Sequence, residues 1–305
     1  MNKLIQLTSA LVISATATAQ INMEDSTVQA IGYWDKNEKQ SYSVTTDKYK
    51  LKGADTTSKE NMKYEVDITI LDSTAKSYTI EWSYKNFSMQ TSNDLMKKIM
   101  SIAEDMKVII KTDENGAFTE VVNWKEIRDY IKKATDKMRS ELKDIPKMDA
   151  VIKQAETTYS TKEAIESAAI KDILQFYTFH GAKYKLGETV EGKLKVPNLF
   201  GGDPFDCDVS LYLDTIDAEE NNYIMRSTQE VDHQQLTDAT YNYLVTLSKN
   251  LKVDPPKRED LKDLKNEITT GSRIHGSGWI VYSIQTQTVT SEDLTNVEER
   301  VIEIN

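Results

Sequence analysis

The sequence predicts an α+β fold: a curved antiparallel sheet with helices packed on one face. Three observations lead there. Tyr64, Val66, Ile68 and Ile70 alternate with polar residues, and so do Tyr78, Ile80, Trp82 and Tyr84, which is the period of a half-buried strand. Between residues 123 and 180 the apolar period changes to 3.6. From residue 206 onward it returns to two. Hairpin, helix and strands thus follow in the same order twice, which suits two similar halves meeting near residues 181–200 as well as one domain over 41–305. The only sequence echo between them is Asp67-Ile68-Thr69-Ile70 against Asp208-Val209-Ser210-Leu211.

The elements follow in order. Residues 1–19 read as a secretory leader: Lys3 in a short polar start, an apolar run from Leu4, and the small-residue cut Ala17-Thr18-Ala19. The run is too short and too polar to span a bilayer. Residues 20–40 carry weak signals and are expected as a loosely docked arm. Strand segments begin at Tyr42. The cluster Asp72-Ser73-Thr74-Ala75-Lys76 turns the chain between two alternating runs, a hairpin. A helix over residues 93–104 is expected next. Asn115-Gly116 between two apolar runs marks a second hairpin.

Asn123 with Glu126 has the form of a capping box. It opens a helix with Ile127, Tyr130, Ile131, Ala134, Met138, Leu142 and Ile145 on one face, ended by Pro146. A second cap at Ser160-Thr161 opens a helix that closes at His180-Gly181. Residues 206–214 and 222–231 form another hairpin. A helix follows over 234–249, with Leu236, Ala239, Tyr243 and Leu247 on one face, and Pro255-Pro256 breaks the chain. Residues 267–274, 279–290 and 296–304 read as closing strands.

Charge limits the partners. The chain holds 38 basic and 49 acidic residues, and the leader's one charge is Lys3, so the remainder carries 37 against 49, or −12. That excess repels nucleic acid and anionic lipid. Cys207 is the one cysteine, so no internal disulfide forms. Gln20, not cysteine, follows the cut, which argues against a lipid anchor. Asp206 and Asp208 flank Cys207, which reads as a buried, inert thiol.

No constellation carries chemistry. His180, His233 and His275 lack the spacing of a metal site, and no nucleophile elbow accompanies the serines near His275. Asp203, Asp206 and Asp208 offer oxygens, but not at the spacing of an EF-hand loop. The Gly271 to Gly278 stretch has no following helix to cradle a phosphate and reads as a hairpin or bulge. No cofactor, metal or catalytic residue is therefore assigned. Trp82, Tyr84, Met96, Met100 and Trp124 fall where the first sheet meets its helices. Soft aromatic walls of this kind line apolar ligand sites.

The chain resembles uncharacterised exported proteins of Bacteroidota that bear signal peptides. The carrying features are the leader with Gln20 after the cut, the 64–84 hairpin, the run Asp113-Glu114-Asn115-Gly116-Ala117-Phe118-Thr119-Glu120-Val121, and the strand Gly278-Trp279-Ile280-Val281-Tyr282. Asp-Ser-Thr, Asp-Thr-Thr and Asp-Thr-Ile triplets starting at residues 25, 55, 72 and 214 are similar to the O-glycosylation motif of that group. The resemblance implies export and brings no activity or site residues. In layout the chain is also similar to periplasmic lipoprotein carriers.

The expectation is therefore a periplasmic or secreted binding protein, not an enzyme. Its partner would be an apolar small molecule or an envelope component held between sheet and helices. Two alternatives stand beside it: a hydrolase of envelope polymers using carboxylates with His233 or His275, and a scaffolding protein acting through an exposed apolar patch or a free sheet edge.

Overall fold

The computed structural model describes residues 20–90, 106–141, 148–198, 200–261 and 264–305. The leader, the helix expected over 93–104, and Leu142, Ile145 and Pro146 lie outside the described residues.

Two strands, β1 (Ile21–Asn22) and β2 (Thr27–Ala30), start the chain. Five follow in a meander: β3 (Lys39–Lys52), β4 (Asp55–Thr74), β5 (Ser77–Gln90), β6 (Lys107–Asp113) and β7 (Phe118–Val121). Then come helices α1 (Trp124–Glu141) and α2 (Met148–Thr158), a π-helical stretch at Ile165–Ala169, and α3 (Lys171–Phe176). The second half brings β8 (Ala182–Lys185), β9 (Thr189–Val196), β10 (Phe205–Asp217) and β11 (Asn222–Val231), then α4 (His233–Leu251). The closing strands are β12 (Lys265–His275), β13 (Ile280–Ser291) and β14 (Leu294–Ile304).

Among the described residues, eleven strands form one antiparallel sheet in the order β7-β6-β5-β4-β3-β14-β13-β12-β11-β10-β9. The sheet is open, with edges at β7 and β9. A small second sheet holds β1, β2 and β8. The fold is a sheet-dominated α+β, and among the described residues the helices do not form the layer expected over one face. The helices do not share one seat. Ile127 and Ile131 of α1 enter the main core, while Arg139 of α1 ties the helix to Glu156 of α2 at 3.0 Å. Among the described helices, the short α3 is the one that packs on β13 and β14 at the centre of the sheet.

The inner face follows from strand alternation. Tyr64, Val66, Ile68 and Ile70 of β4 are buried, and the register sets them beside Tyr42, Val44, Ile80, Trp82 and Tyr84. Phe176 of α3 lands on this face. Its ring stands edge-on to Tyr42 at 5.4 Å and to Trp82 at 5.3 Å. Residues 20–34, expected as a loose arm, enter the same interior: Val28, Ala30 and Trp34 are buried, and Trp34 packs on Tyr78, Tyr177, His180 and Trp279. Val28 and Ala30 lie in a strand of only four residues and Trp34 beyond it, too short a run for a period to show in the sequence.

Local chemistry explains the turns. Asp113 Oδ1 accepts from the backbone N–H groups of Asn115 and Ala117, both at 2.9 Å, and Gly116 takes the left-handed backbone at φ +88°. The expected Asn123 cap is not formed. Its Oδ1 accepts from Ile109 N and its Nδ2 donates to Lys107 O, so Asn123 clips the start of α1 to β6 instead. Thr161, rather than Ser160, caps the next helical turn by accepting from Ala164 N at 3.1 Å.

Gly278 closes the β12–β13 hairpin at φ +86°, and a Cβ there would run into the Ile31 carbonyl and Gly32. Gly53 has φ +57° with open space around it. Gly278→Ala is expected to cost about 1–3 kcal/mol, and Gly53→Ala about 1 kcal/mol, in urea unfolding. Equal costs would show that the approach of residues 31 and 32 does not constrain the turn.

Candidate functional site

The aromatic residues expected to line a ligand wall sit in packed surroundings. Trp82 is fully buried against Phe176. The Tyr84 hydroxyl donates to Asp172 Oδ1 at 3.2 Å, and the Tyr64 hydroxyl to Oδ2 at 2.9 Å. Burial pushes both tyrosine pKa values far up, with the Asp172 charge adding to it, so both hydroxyls remain donors. Phe87 stacks on Tyr64 at 4.9 Å. Trp124 opens α1, half-buried at the rim of this core, with the cations of Lys125 and Arg128 at 5.5 and 5.4 Å from its ring. Met96 and Met100 lie outside the described residues.

The histidines are separated. His233 Nδ1 lies 2.6 Å from Leu264 O, and His275 Nδ1 lies 2.8 Å from Ser277 Oγ, each holding a turn. His180 donates from Nε2 to Gly278 O at 2.7 Å. Burial pushes its pKa down to about 4, against the opposing pull of the Gly278 and Phe176 carbonyls. Cys207 is buried, and burial, with Asp208 beside it, raises its thiol. Among the described residues no group of histidine, cysteine and carboxylate side chains is arranged to hold a metal ion. No helix among them is long and apolar enough to cross a membrane.

A spacious concavity lies elsewhere, between α4 and the chain entering β10. It measures about 680 Å³ and is lined by Lys195, Phe200, Asp203, Gln235, Asp238, Asn242 and Tyr243 among others. Asp232 caps α4 by accepting from Gln235 N at 2.7 Å. Gln235 then grips the start of β10: its Oε1 accepts from Asp206 N at 2.8 Å and its Nε2 donates to Asp206 Oδ2 at 2.7 Å. Beneath, Leu236 and Ala239 pack on Phe205, Cys207, Val231 and Leu264, a small core of their own.

The opposite wall is a turn. Asn198 Oδ1 accepts from Phe200 N at 3.0 Å, and Gly201 and Gly202 continue at φ +89° and +95°. This turn presents Phe200 to Tyr243, ring centroids 5.1 Å apart. Both rings remain exposed, at 41% and 46%. Asp238 is engaged by Arg258 and Gln234, and Lys195 by Asp206. Asn242 and Asp203 have no side-chain partner among the described residues. The cleft thus offers two aromatic faces, one amide and one carboxylate that are free to meet a ligand.

The sequence singled out the string from residue 199 to 208, but for its aspartates. Asp206 and Asp208 instead pair with Lys195 and Lys193 at 2.7 and 2.8 Å. Of that string Phe200 lines the cleft, opposite Tyr243, one of the apolar-face positions of α4. An aromatic beside two glycines was the available signal.

No protein-family model matches the chain, and no curated protein does. Among solved structures it is similar to lipovitellin, described for its lipid–protein interactions, at 11% identity with a TM-score of 0.44 over 89% of this chain. The chain spans about 25% of that lipovitellin chain's length. It is also similar to a Bacteroides fragilis structure described provisionally as an exported protein with a YMCC-like fold, at 9% identity and a TM-score of 0.25 over 90% of this chain and 99% of the other. Likenesses this distant leave the function to the chain's own residues.

His180 gives the core a pH dependence. An unfolded histidine titrates near 6.5, so between about pH 6.5 and 4 the unfolded chain binds a proton that the folded chain refuses. Stability is full above pH ~6.5 and falls by about 3 kcal/mol on acidification to pH ~4. Denaturant melts across that range should show this slope, and His180→Gln should flatten it. Equal slopes in both proteins would remove His180 as the cause.

Proposed function

We propose that the chain is an exported, non-enzymatic binding protein that seats a saccharide-bearing envelope component in the cleft between α4 and the 198–205 turn. The observation that carries this is the exposed Phe200–Tyr243 pair beside Asn242 and Asp203, whose polar groups are unengaged. A pyranose ring has a flat face of C–H groups and a rim of hydroxyls. Aromatic faces cover the first, and planar amides and carboxylates pair with neighbouring hydroxyls of the second. The leader pattern in residues 1–19 supports export, and an acidic surface is compatible with a free protein in that compartment.

The cleft volume suits one or two sugar units rather than a long acyl chain, whose apolar length would need an enclosed, dry wall. The walls here carry Lys195, Gln235 and Asp238, which stay hydrated. The apolar-ligand reading around Trp82 and Tyr84 would instead require Phe176 and Asp172 to move from their present contacts.

The test is thermal denaturation of the mature chain against a panel of envelope-derived oligosaccharides. A bound sugar at a hundred times its Kd stabilises by about 2.7 kcal/mol. Phe200→Ala and Tyr243→Ala, both on the surface, should each weaken binding about 10-fold or more with little change in the unliganded Tm. A panel without any stabilising sugar, or binding untouched by both substitutions, would overturn the reading.

A further inference from the structure

The two edges of the large sheet are treated differently. At β7 the edge is four residues long and guarded: Val121 N donates to Glu166 Oε1 of the π-helical stretch at 2.7 Å, and Lys162 reaches Glu120. At β9 the edge is eight residues long, pairs with β10 on one side without a register shift, and has no strand on the other side among the described residues.

Free edges in natural proteins are blunted by proline, by bulges, by covering segments or by lysines that project past them. Strand β9 has no proline and no bulge. Its two lysines, Lys193 and Lys195, lean along β10, pairing with Asp208 and Asp206 rather than projecting past the edge, and Lys193, about three-quarters exposed (76%), stays within reach of a further carboxylate. On the inner face, Val190 and Leu194 are each 48% exposed. This is a strand prepared for pairing rather than protected from it.

The residue order names the partner. A two-fold axis through Gly192 sets two copies of β9 antiparallel. Val190 then faces the partner's Leu194, and Glu191 faces the partner's Lys193, each twice. Gly192 meets the partner's Gly192, so no side chain crowds the axis. A shift of one residue to either side brings Glu191 against Glu191 or Lys193 against Lys193, and like charges directly opposite are destabilising. A single centring therefore satisfies both the apolar and the charged positions.

We propose that β9 pairs with the β9 of a second copy in this Gly192-centred register, joining two sheets into one across an isologous edge. An eight-residue strand pair buries less than the roughly 800 Å² per partner of a standard interface, so association is expected on the order of micromolar Kd.

Sedimentation across a concentration series tests the dimer, and charge exchange tests the register. Glu191→Lys and Lys193→Glu should each weaken self-association about 10-fold, while an equimolar mixture of the two should form a heterodimer, because every facing pair is again opposite in sign. Gly192→Cys should form a disulfide dimer on oxidation, and Val190→Cys, displaced from the axis, should not. Circular dichroism and unfolding midpoints near those of the parent chain confirm that the variants fold. A chain that stays monomeric throughout the series overturns the proposal. So does a dimer indifferent to both charge reversals, or one in which Val190→Cys crosslinks as readily as Gly192→Cys. None of these outcomes depends on whether a saccharide binds.

Discussion

The pairing of β14 with β3 is the constraint on which the rest of the structure depends. Within the large sheet each half of the chain is a meander, and this ladder joins the two, from Leu294 opposite Lys52 to Ile304 opposite Tyr42. Residues some 250 positions apart must meet in register, which carries a large loop-closure cost and makes the pairing a late, cooperative step. A slip of one residue would turn Ile302 outward and Arg300 with it. The backbone fixes the ladder's end where Asn305 N donates to Ser41 O. In the observed register Ile302 lies between Val44 and Ser283, and the inner faces of the two halves become one surface.

That surface is not uniformly apolar. Across β3, β4, β5 and β6 it is lined by large aliphatic and aromatic side chains. Across β11 to β14 it carries Ser227, Thr270, Ser272, Ser283 and Arg300, all buried. Gln175 of α3 spans the change, donating to Ser283 Oγ at 3.0 Å and Arg300 O at 3.2 Å. Arg300 reaches Glu298 at 2.7 Å, and Glu298 also takes Lys48 and Lys171. Burial alone would raise the Glu298 carboxyl, but these three cations hold it below the usual range. A buried charge tolerates its position only when paired. The polar belt therefore fixes where α3 sits.

Much of this was legible. Alternation located β4, β5 and the closing strands, and the turns at residues 72–76 and 115–116 fell as their residue types required. What stayed hidden has physical causes. Asn123 carries the same side chain whether it caps its own helix or clips a neighbouring strand, and only tertiary geometry decides which. Strand β9 is exposed on both faces, so burial imposes no strong pattern on it. On α4 the periodicity correctly grouped Leu236, Ala239, Tyr243 and Leu247, but a period identifies a stripe and not what lies beneath it. Leu236 meets the small core, whereas Tyr243 and Leu247 pass beyond it into solvent. The cleft joins a loop residue to a helix residue 43 positions later, and no local pattern announces such a meeting.

The exposed outer half of α4 and the free β9 edge share a border at Lys195. That side chain lines the cleft and belongs to β9, and its partner Asp206 is also the residue that Gln235 grips from α4. An event that orders β9 acts on Lys195, through it on Asp206, and through Asp206 on the helix wall that carries Tyr243. An event that fills the cleft acts on the same three side chains from the other end. Coupling of this kind is reciprocal where it exists: whatever ordering one surface contributes to the other is returned in equal free energy. The Lys195–Asp206–Gln235 chain is short, mostly solvent-accessible and built of a single ion pair and amide contacts, so its share is as small as that of an exposed surface pair. The two surfaces are thus neighbours with a weak physical link rather than a single switch.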